Sequence, residues 1–333
     1  MRLVRSNPTP AADISGFYAQ AVRYLVTGCA GFIGSHLSEA LLERGDEVVG
    51  VDALTDYYDR SLKEANLAVL RDAAGFRLLE VDLAVAPLDE LVADADGVFH
   101  IAAQPGVRGS WGTTFAVYAR DNVIATQRLF EAALAATKRV VWASSSSVYG
   151  NAEAHPTRED MPPRPVSPYG VTKLCCEHLA GAYAESRGLD AVALRYFTVY
   201  GPRQRPDMAF TRIVNALAQG RRFTVFGTGR QSRDVTYVDD AVAATLAAFE
   251  RGASGAAYNV GGGNETSLLD AIAVCERLSG RTLELEFAEV ATGDMRRTSA
   301  DTSRAARDLG WTPLTTLEEG LAQQLRWAGV AVR

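Results

Sequence analysis

The chain has 333 residues, 47% of them hydrophobic and 22% charged, enough to bury one large core or two moderate ones. Its formal net charge of −6, without a dense Lys/Arg run, argues against a surface built to neutralise many phosphates, so nucleic acid is not an expected partner. Cys29, Cys175, Cys176 and Cys275 form no CxxC pair and have no His-rich neighbourhood; neither a disulfide framework nor a metal site is expected, and a cytoplasmic location fits.

Residues 1–20 show no clear period and read as a loose extension. No apolar run there resembles a signal peptide, and nowhere do about 18 uncharged apolar residues follow one another, so no membrane partner is expected. From residue 23 onward, short β-rich runs alternate with stretches of helical spacing: RYLVTG (23–28), EVVGVD (47–52), FRLLEVD (76–82), GVFHIAA (97–103), RVVWASS (139–145) and DAVALRYF (190–197). These runs are continuously apolar, which predicts helices on both faces of a doubly wound parallel α/β sheet of the Rossmann type.

After Phe197 the rhythm breaks. Residues 198–233 are basic and turn-rich, and RDVTYVDDAVAATLAAFE and AYNVGG add more sheet and helix. The last third predicts a helix over 267–279, a strand at LELEFA, and helices over 303–309 and about 316–329. We expect two interleaved domains: 21–197 plus 234–262 for the large sheet, and 198–233 plus 263–330 for a smaller α/β domain on the substrate side.

Strand one runs into Gly28-Cys29-Ala30-Gly31-Phe32-Ile33-Gly34 and then an amphipathic helix. Glycines at such a turn permit tight chain reversal, close backbone approach to a pyrophosphate, and close helix–strand packing, with the anion on the helix N-terminus. The spacing is GxxGxxG, and a glycine trio alone is weak. Its force comes from the strand–turn–helix setting and from Asp52 at the end of strand two, where a carboxylate accepts hydrogen bonds from a ribose and repels a 2′-phosphate, favouring NAD over NADP. The plain alternative is that Asp52 caps the next helix. Asp82, closing strand three, is placed for the adenine edge, with capping as its competing role.

Residues 143–150, ASSSSVYG, end an apolar strand in a row of hydroxyls, at the carboxyl end where parallel-sheet sites form. Downstream, Pro168-Tyr169-Gly170-Val171-Thr172-Lys173 sets Tyr169 and Lys173 four apart, on one face of a predicted helix. A lone YxxxK is common by chance. Behind a nucleotide fold and a hydroxyl-tipped strand it becomes informative.

The ordered set of GxxGxxG, Asp52, SSSSVYG, YGVTK, LRYFTVYGPRQRPD and RDVTYVDD resembles the extended short-chain dehydrogenase/reductase family, in its branch of NAD-dependent nucleotide-sugar epimerases and dehydratases. The likeness runs from residue 22 to 329. It implies Tyr169 as base and acid, Lys173 on the nicotinamide ribose and favouring the phenolate, and Ser145 orienting the reacting hydroxyl. It implies cofactor contacts at Gly28, Gly31, Phe32, Ile33, Gly34, Asp52, Asp82, Leu83, Ala102 and Ala103. A free phenol is a poor base at neutral pH, and a neighbouring ammonium and a cationic nicotinamide both favour its anion.

Within that family, the 4,6-dehydratases have Asp-Glu where Ser146 and Ser147 stand, and the UDP-glucuronate decarboxylases have Glu in place of Ser147. UDP-glucose 4-epimerases resemble RYFN where Arg195-Tyr196-Phe197-Thr198 stands here. Ser146, Ser147, Thr198 and Arg205 suit a sugar whose C6 is a carboxylate. This pattern, with VDALTDYYDRSLKEANL and AAQPGVRGS, is most similar to the UDP-glucuronate 4-epimerases. The resemblance implies a nucleotide clamp of Thr224, Phe226, Gln231 and Arg233, and a homodimer built on helices around 115–136 and 169–186. The alternatives are a UDP-glucose 4-epimerase, a UDP-glucuronate decarboxylase, or a dinucleotide sensor without chemistry.

Two departures stand out. The family often has Asn-Leu after the ribose carboxylate, against Ala53-Leu54 here, and an Arg that helps bind the diphosphate where Ala291 stands, with Arg296 or Arg297 as candidate substitutes. Plainer roles are expected elsewhere: Trp311 and Trp327 as packing anchors, Cys175 and Cys176 as core neighbours, His100 as structural, and Cys29 as a small filler of the glycine turn. Arg108, in the loop after strand four, is within possible reach of substrate.

Overall fold

The computed structural model describes residues 21–289 and 295–333. The loose extension expected over 1–20, and the position of Ala291, lie outside these residues. The first half alternates strand and helix: β1 (Arg23–Thr27), α1 (Phe32–Glu43), β2 (Glu47–Asp52), α2 (Arg60–Arg71), β3 (Phe76–Glu80), α3 (Asp89–Ala93) and β4 (Gly97–His100). Next come α4 (Phe115–Tyr118), a π-helical turn (Ala119–Ile124), α5 (Ala125–Ala135), β5 (Val140–Ser145), α6 (Pro168–Arg187) and β6 (Ala191–Tyr196).

All six strands run parallel in one seven-stranded sheet, ordered β3-β2-β1-β4-β5-β6 and closed by β10 (Ala257–Val260). Tyr24 and Val26 on β1 belong to one buried cluster, with Leu37 and Leu41 of α1, whereas Leu25 belongs to the other, with Leu129 and Phe130 of α5. The sheet is therefore covered on both faces, as the continuous apolar runs predicted. Chain order reverses between β1 and β4, and in such sheets that crevice is where ligands bind.

The remaining elements are β7 (Thr198–Tyr200), α7 (Ala209–Gln219), β8 (Phe223–Phe226), β9 (Ser232–Tyr237), α8 (Val238–Arg251), β11 (Asn264–Ser267), α9 (Leu268–Ser279), β12 (Leu285–Ala288), α10 (Ser303–Leu309) and α11 (Leu317–Trp327). They include two small sheets, β11-β9-β7 and β12-β8. The segment read as turn-rich thus holds an eleven-residue helix, α7, with Phe210, Ile213, Val214 and Leu217 buried at helical spacing.

Trp311 is buried and its indole donates to the Asp240 carbonyl, but Trp327, the last residue of α11, is 49% exposed, which corrects its expected role as a buried packing anchor. Cys176 is buried and Cys175 only partly so. His100 is fully enclosed between the hydroxyls of Thr27 and Thr126, at 2.8 and 2.9 Å. No described helix is long and apolar enough to cross a membrane.

Candidate active site

The glycine turn forms because Gly28 adopts φ 73°, and a Cβ there would lie 2.8 Å from the Ala102 nitrogen beyond β4. A Cβ on Gly34 would lie 2.1 Å from the Gly28 oxygen, so α1 starts hard against the turn. No side chain caps α1. Its first-turn N–H groups have no partner inside the helix and open onto a cavity of about 440 Å³. This cradle of glycines and unsatisfied donors fits a dinucleotide diphosphate.

Every cofactor contact expected from sequence lines that cavity: Gly28, Gly31, Phe32, Ile33, Gly34, Asp52, Asp82, Leu83, Ala102, Ala103, Tyr169 and Lys173. Asp52 accepts the Leu54 amide at 2.8 Å and the Ala30 amide at 3.2 Å, tying the end of β2 to the glycine turn. It caps no helix; α2 is capped by Asp59. Lys63 approaches Asp52 to 3.8 Å and donates to the Thr55 carbonyl at 2.9 Å. Asp82 accepts from Arg120 and from the Ala84 amide; burial pushes its carboxyl up, but these bonds and the Arg120 charge together outweigh it and leave it lowered. Burial pushes the Cys29 thiol up, consistent with a filler and not a nucleophile.

The serine row lies at the other end of the same cavity. β5 stops at Ser145, whose Oγ accepts the Ser147 amide at 3.1 Å and so caps a single 3-10 turn, Ser146–Val148. Ser145, Ser146 and Ser147 all line the cavity and all are buried. Helix α6 begins opposite, with Ser167 as N-cap and Pro168 in its first turn. A Cβ on Gly170 would lie 2.6 Å from the Ser147 oxygen, so this glycine lets the helix press against the serine turn. Lys173, one helical turn after Tyr169, donates to the Ala143 carbonyl at 2.7 Å. Tyr169 packs edge-on against Tyr118 at 6.3 Å.

Thr198 and Arg205 complete this wall of the cavity. A second cavity of about 200 Å³ adjoins it, sharing Thr198, Met208 and Arg233, and is lined further by Arg108, Thr224, Phe226 and Gln231. All substrate-side expectations thus fall on two joined cavities. Gln231 donates to the Phe226 carbonyl at 3.0 Å. The Arg108 and Arg212 guanidiniums lie 4.8 and 5.6 Å from the Phe226 ring. Burial and then the Arg108 charge push Arg212 down. Arg297 is held elsewhere, by a bidentate bond to Glu265 at 2.7 and 2.8 Å.

Sequence reasoning missed Lys63, Arg120 and Arg212. Lys63 left a trace: with Asn66, Leu67 and Leu70 it occupies the buried stripe of α2, where a charged residue needs a reason. Arg120 reaches the site from the π-helical turn and Arg212 from α7, elements whose placement no local motif encodes. No group of three or more metal-ligating side chains occurs among the described residues.

The family model "NAD dependent epimerase/dehydratase family" matches residues 24–261. YtcB of Bacillus subtilis (strain 168), described as an uncharacterized UDP-glucose epimerase, is 42% identical over 92% of this chain and 98% of its own. The UDP-glucuronate 4-epimerase of Thermodesulfobacterium geofontis (strain OPF15) is 37% identical over 92% of this chain and 95% of its own. Among solved structures, UDP-glucuronic acid 4-epimerase from Bacillus cereus, in complex with UDP-glucuronic acid and NAD, superposes with a TM-score of 0.89 at 41% identity, covering 92% of this chain and 99% of that one. With the glycine cradle, the serine row and the Tyr169–Lys173 pair assembled on one cavity, and matches of this extent, the chain belongs to the NAD dependent epimerase/dehydratase family.

Proposed function

We propose that this protein interconverts UDP-glucuronate and UDP-galacturonate by 4-epimerisation through a 4-keto intermediate, with NAD in the larger cavity. The bound nicotinamide would take a hydride from C4 and return it. The rest is done by side chains. The α1 amides and Gly28, Gly31, Phe32, Ile33 and Gly34 hold the diphosphate, Asp52 the adenosine ribose, and Asp82 and Leu83 the adenine side, with Ala102 and Ala103 flanking the chain of the cofactor. Tyr169 removes the proton from the C4 hydroxyl, Ser145 orients that oxygen, and Lys173 exchanges its Ala143 carbonyl for the nicotinamide ribose while favouring the phenolate.

Thr224, Phe226, Gln231 and Arg233 anchor the nucleotide, with Arg108 and Arg212 beside them on the diphosphate. A fixed nucleotide lets the keto sugar rotate, so that the hydride returns to its other face. Ser146, Ser147, Thr198 and Arg205 receive the C6 carboxylate. The observation that carries this reading is the wall they form: neutral donors and one guanidinium line the cavity where elimination or decarboxylation would call for carboxyl groups. A neutral-hexose reading is favoured by the description of YtcB and by relatives solved with UDP-glucose. Incubating the purified protein with UDP-glucuronate, and separately with UDP-glucose, and following products by NMR decides between them: UDP-galacturonate is expected, and a pentose product or no conversion overturns the proposal.

We also infer a homodimer through α4, the π-helical turn, α5 and α6, supported by Val117, Ile124 and Val171, which stay exposed along these elements. A monomer mass by light scattering would remove it. The division into 21–197 plus 234–262 and 198–233 plus 263–330 is our reading of the two small sheets set against the large one. The unpaired cysteines suit a cytoplasmic enzyme, which cell fractionation would check.

A further inference from the structure

Arg205 is not alone in its wall. Its Nε donates to Asp207 Oδ1 and its Nη2 to Asp207 Oδ2, each at 3.0 Å, a bidentate pair on one edge of the guanidinium. Two residues apart, the partners face differently: Arg205 lines the cavity, its side chain 21% exposed, whereas Asp207 does not line it and is 43% exposed. A guanidinium has two edges able to grip a carboxylate. Asp207 occupies the side edge, and Nη1 makes no hydrogen bond among the described residues, leaving the end edge for the cavity.

The backbone around Arg205 is held without Asp207. Arg203, at φ 63°, reaches across to α1, with Nη2 2.8 Å from Glu39 and Nη1 3.4 Å from the Ser35 hydroxyl. Gln204 is buried, donating to the Val199 carbonyl at 2.9 Å and accepting the Thr211 amide at 3.0 Å. The Arg205 carbonyl accepts the Met208 amide at 3.2 Å. The loop therefore fixes where Arg205 starts, and Asp207 fixes which way its head group points. Tyr57, whose phenol is pushed up to about 12 by burial and then by the Asp207 charge, stands beside the pair on the cavity wall.

We propose that Asp207 is the positioning residue that turns the free edge of Arg205 toward the substrate's C6 carboxylate, and so sets selectivity for an acidic over a neutral sugar nucleotide. This rests on the uronate reading above. The carboxylate must be restrained once C4 is a ketone, because the C5–C6 bond can break, its electron pair passing into the C4 carbonyl as carbon dioxide leaves and the enolate takes a proton. A guanidinium held on one edge restrains the acid by direction. One that swings freely attracts the acid without fixing its plane.

The test uses the whole enzyme in four forms, wild type, Asp207→Asn, Arg205→Ala and the double variant, with UDP-glucuronate and UDP-glucose. Asp207→Asn is expected to raise the Kd and KM for UDP-glucuronate roughly five- to tenfold, the loss of part of one charge-assisted hydrogen bond, and to leave the Kd for UDP-glucose within about twofold. The share of UDP-pentose in the product should rise several-fold, which a merely structural role would not move. The double variant should be no worse than Arg205→Ala, because Asp207 acts through that one side chain. Equal losses for both nucleotides, multiplying losses in the double variant, or an Asp207→Asn enzyme unchanged in Kd and pentose share would overturn the role of Asp207 while the epimerase reading stands. A wild-type enzyme inert toward UDP-glucuronate overturns both.

Discussion

Glu177 sits two helical turns beyond Tyr169 on α6 and joins three elements behind the serine row. Its carboxylate accepts the Ser144 hydroxyl at 2.5 Å and both arms of Arg195 on β6, at 2.9 and 2.7 Å. Arg195 in turn donates to the Tyr149 hydroxyl at 2.7 Å, and that hydroxyl donates to Asn259 on β10 at 2.7 Å. The side chains of Arg195 and Glu177 are 8% and 11% exposed, so little water screens the pair. Removing one partner strands a charge in a poorly solvated place. Glu177→Gln should therefore cost about 3 kcal/mol in urea unfolding; a cost below about 1 kcal/mol would mean that the network relaxes around the amide. Tyr149 shares this setting, its phenol pushed up to about 12 by burial, so it stays a neutral strut. None of these couplings is local in sequence. Ser144 and Glu177 are 33 residues apart, and only the packing of α6 on β5 makes them neighbours.

At the scale of elements, the parallel strands were legible because each is a short apolar run bounded by turn residues, and the observed strands differ from those runs by a few terminal residues. Helix α7 was not. Its stripe of Phe210, Ile213, Val214 and Leu217 is amphipathic, but Pro202, Pro206, Gly220 and a dense set of arginines on either side give the whole segment the composition of a loop. The helix expected as continuous near 115–136 is broken by a π-helical turn at Ala119–Ile124, where Asn122 is buried and bonds back to Gln104 at 2.7 and 3.1 Å. The site divides in the same way. Ser145, Tyr169 and Lys173 were readable since helical spacing and strand ends dictate their placement, and Gly170 between them permits a backbone approach that any Cβ would block. Arg120 and Arg212 were not, because each reaches its cavity from an element whose position only the tertiary fold sets, and Lys63 left no more than a charge in the buried stripe of α2. Asp207 stood in a quoted motif and still said nothing, for its meaning lies in which edge of Arg205 it grips.

For the whole molecule, burial of imidazoles ties stability to pH. His100 lies under the active site between Thr27 and Thr126, and burial, then the Lys173 charge, pushes it down to about 3. His36, against the Phe32 carbonyl on α1, and His155 are pushed down as well, by burial first. The unfolded chain protonates such groups near pH 6.5, whereas the folded protein keeps His100 neutral until far lower. In that window the unfolded state binds more protons, so the stabilising contribution is complete above about pH 7.5 and shrinks as pH falls toward the folded value. For His100 the loss between about pH 7.5 and about pH 5.5 comes to about 1.4 kcal/mol, before most carboxylates titrate. Urea midpoints measured across that range should fall with acidity, and His100→Gln, which keeps hydrogen-bonding atoms but has no proton to gain, should flatten the slope whatever it does to the absolute stability. An unchanged slope in that variant would assign the acid sensitivity to His36, His155 or other groups, and would mean that the chamber beneath the Lys173 ammonium admits a proton.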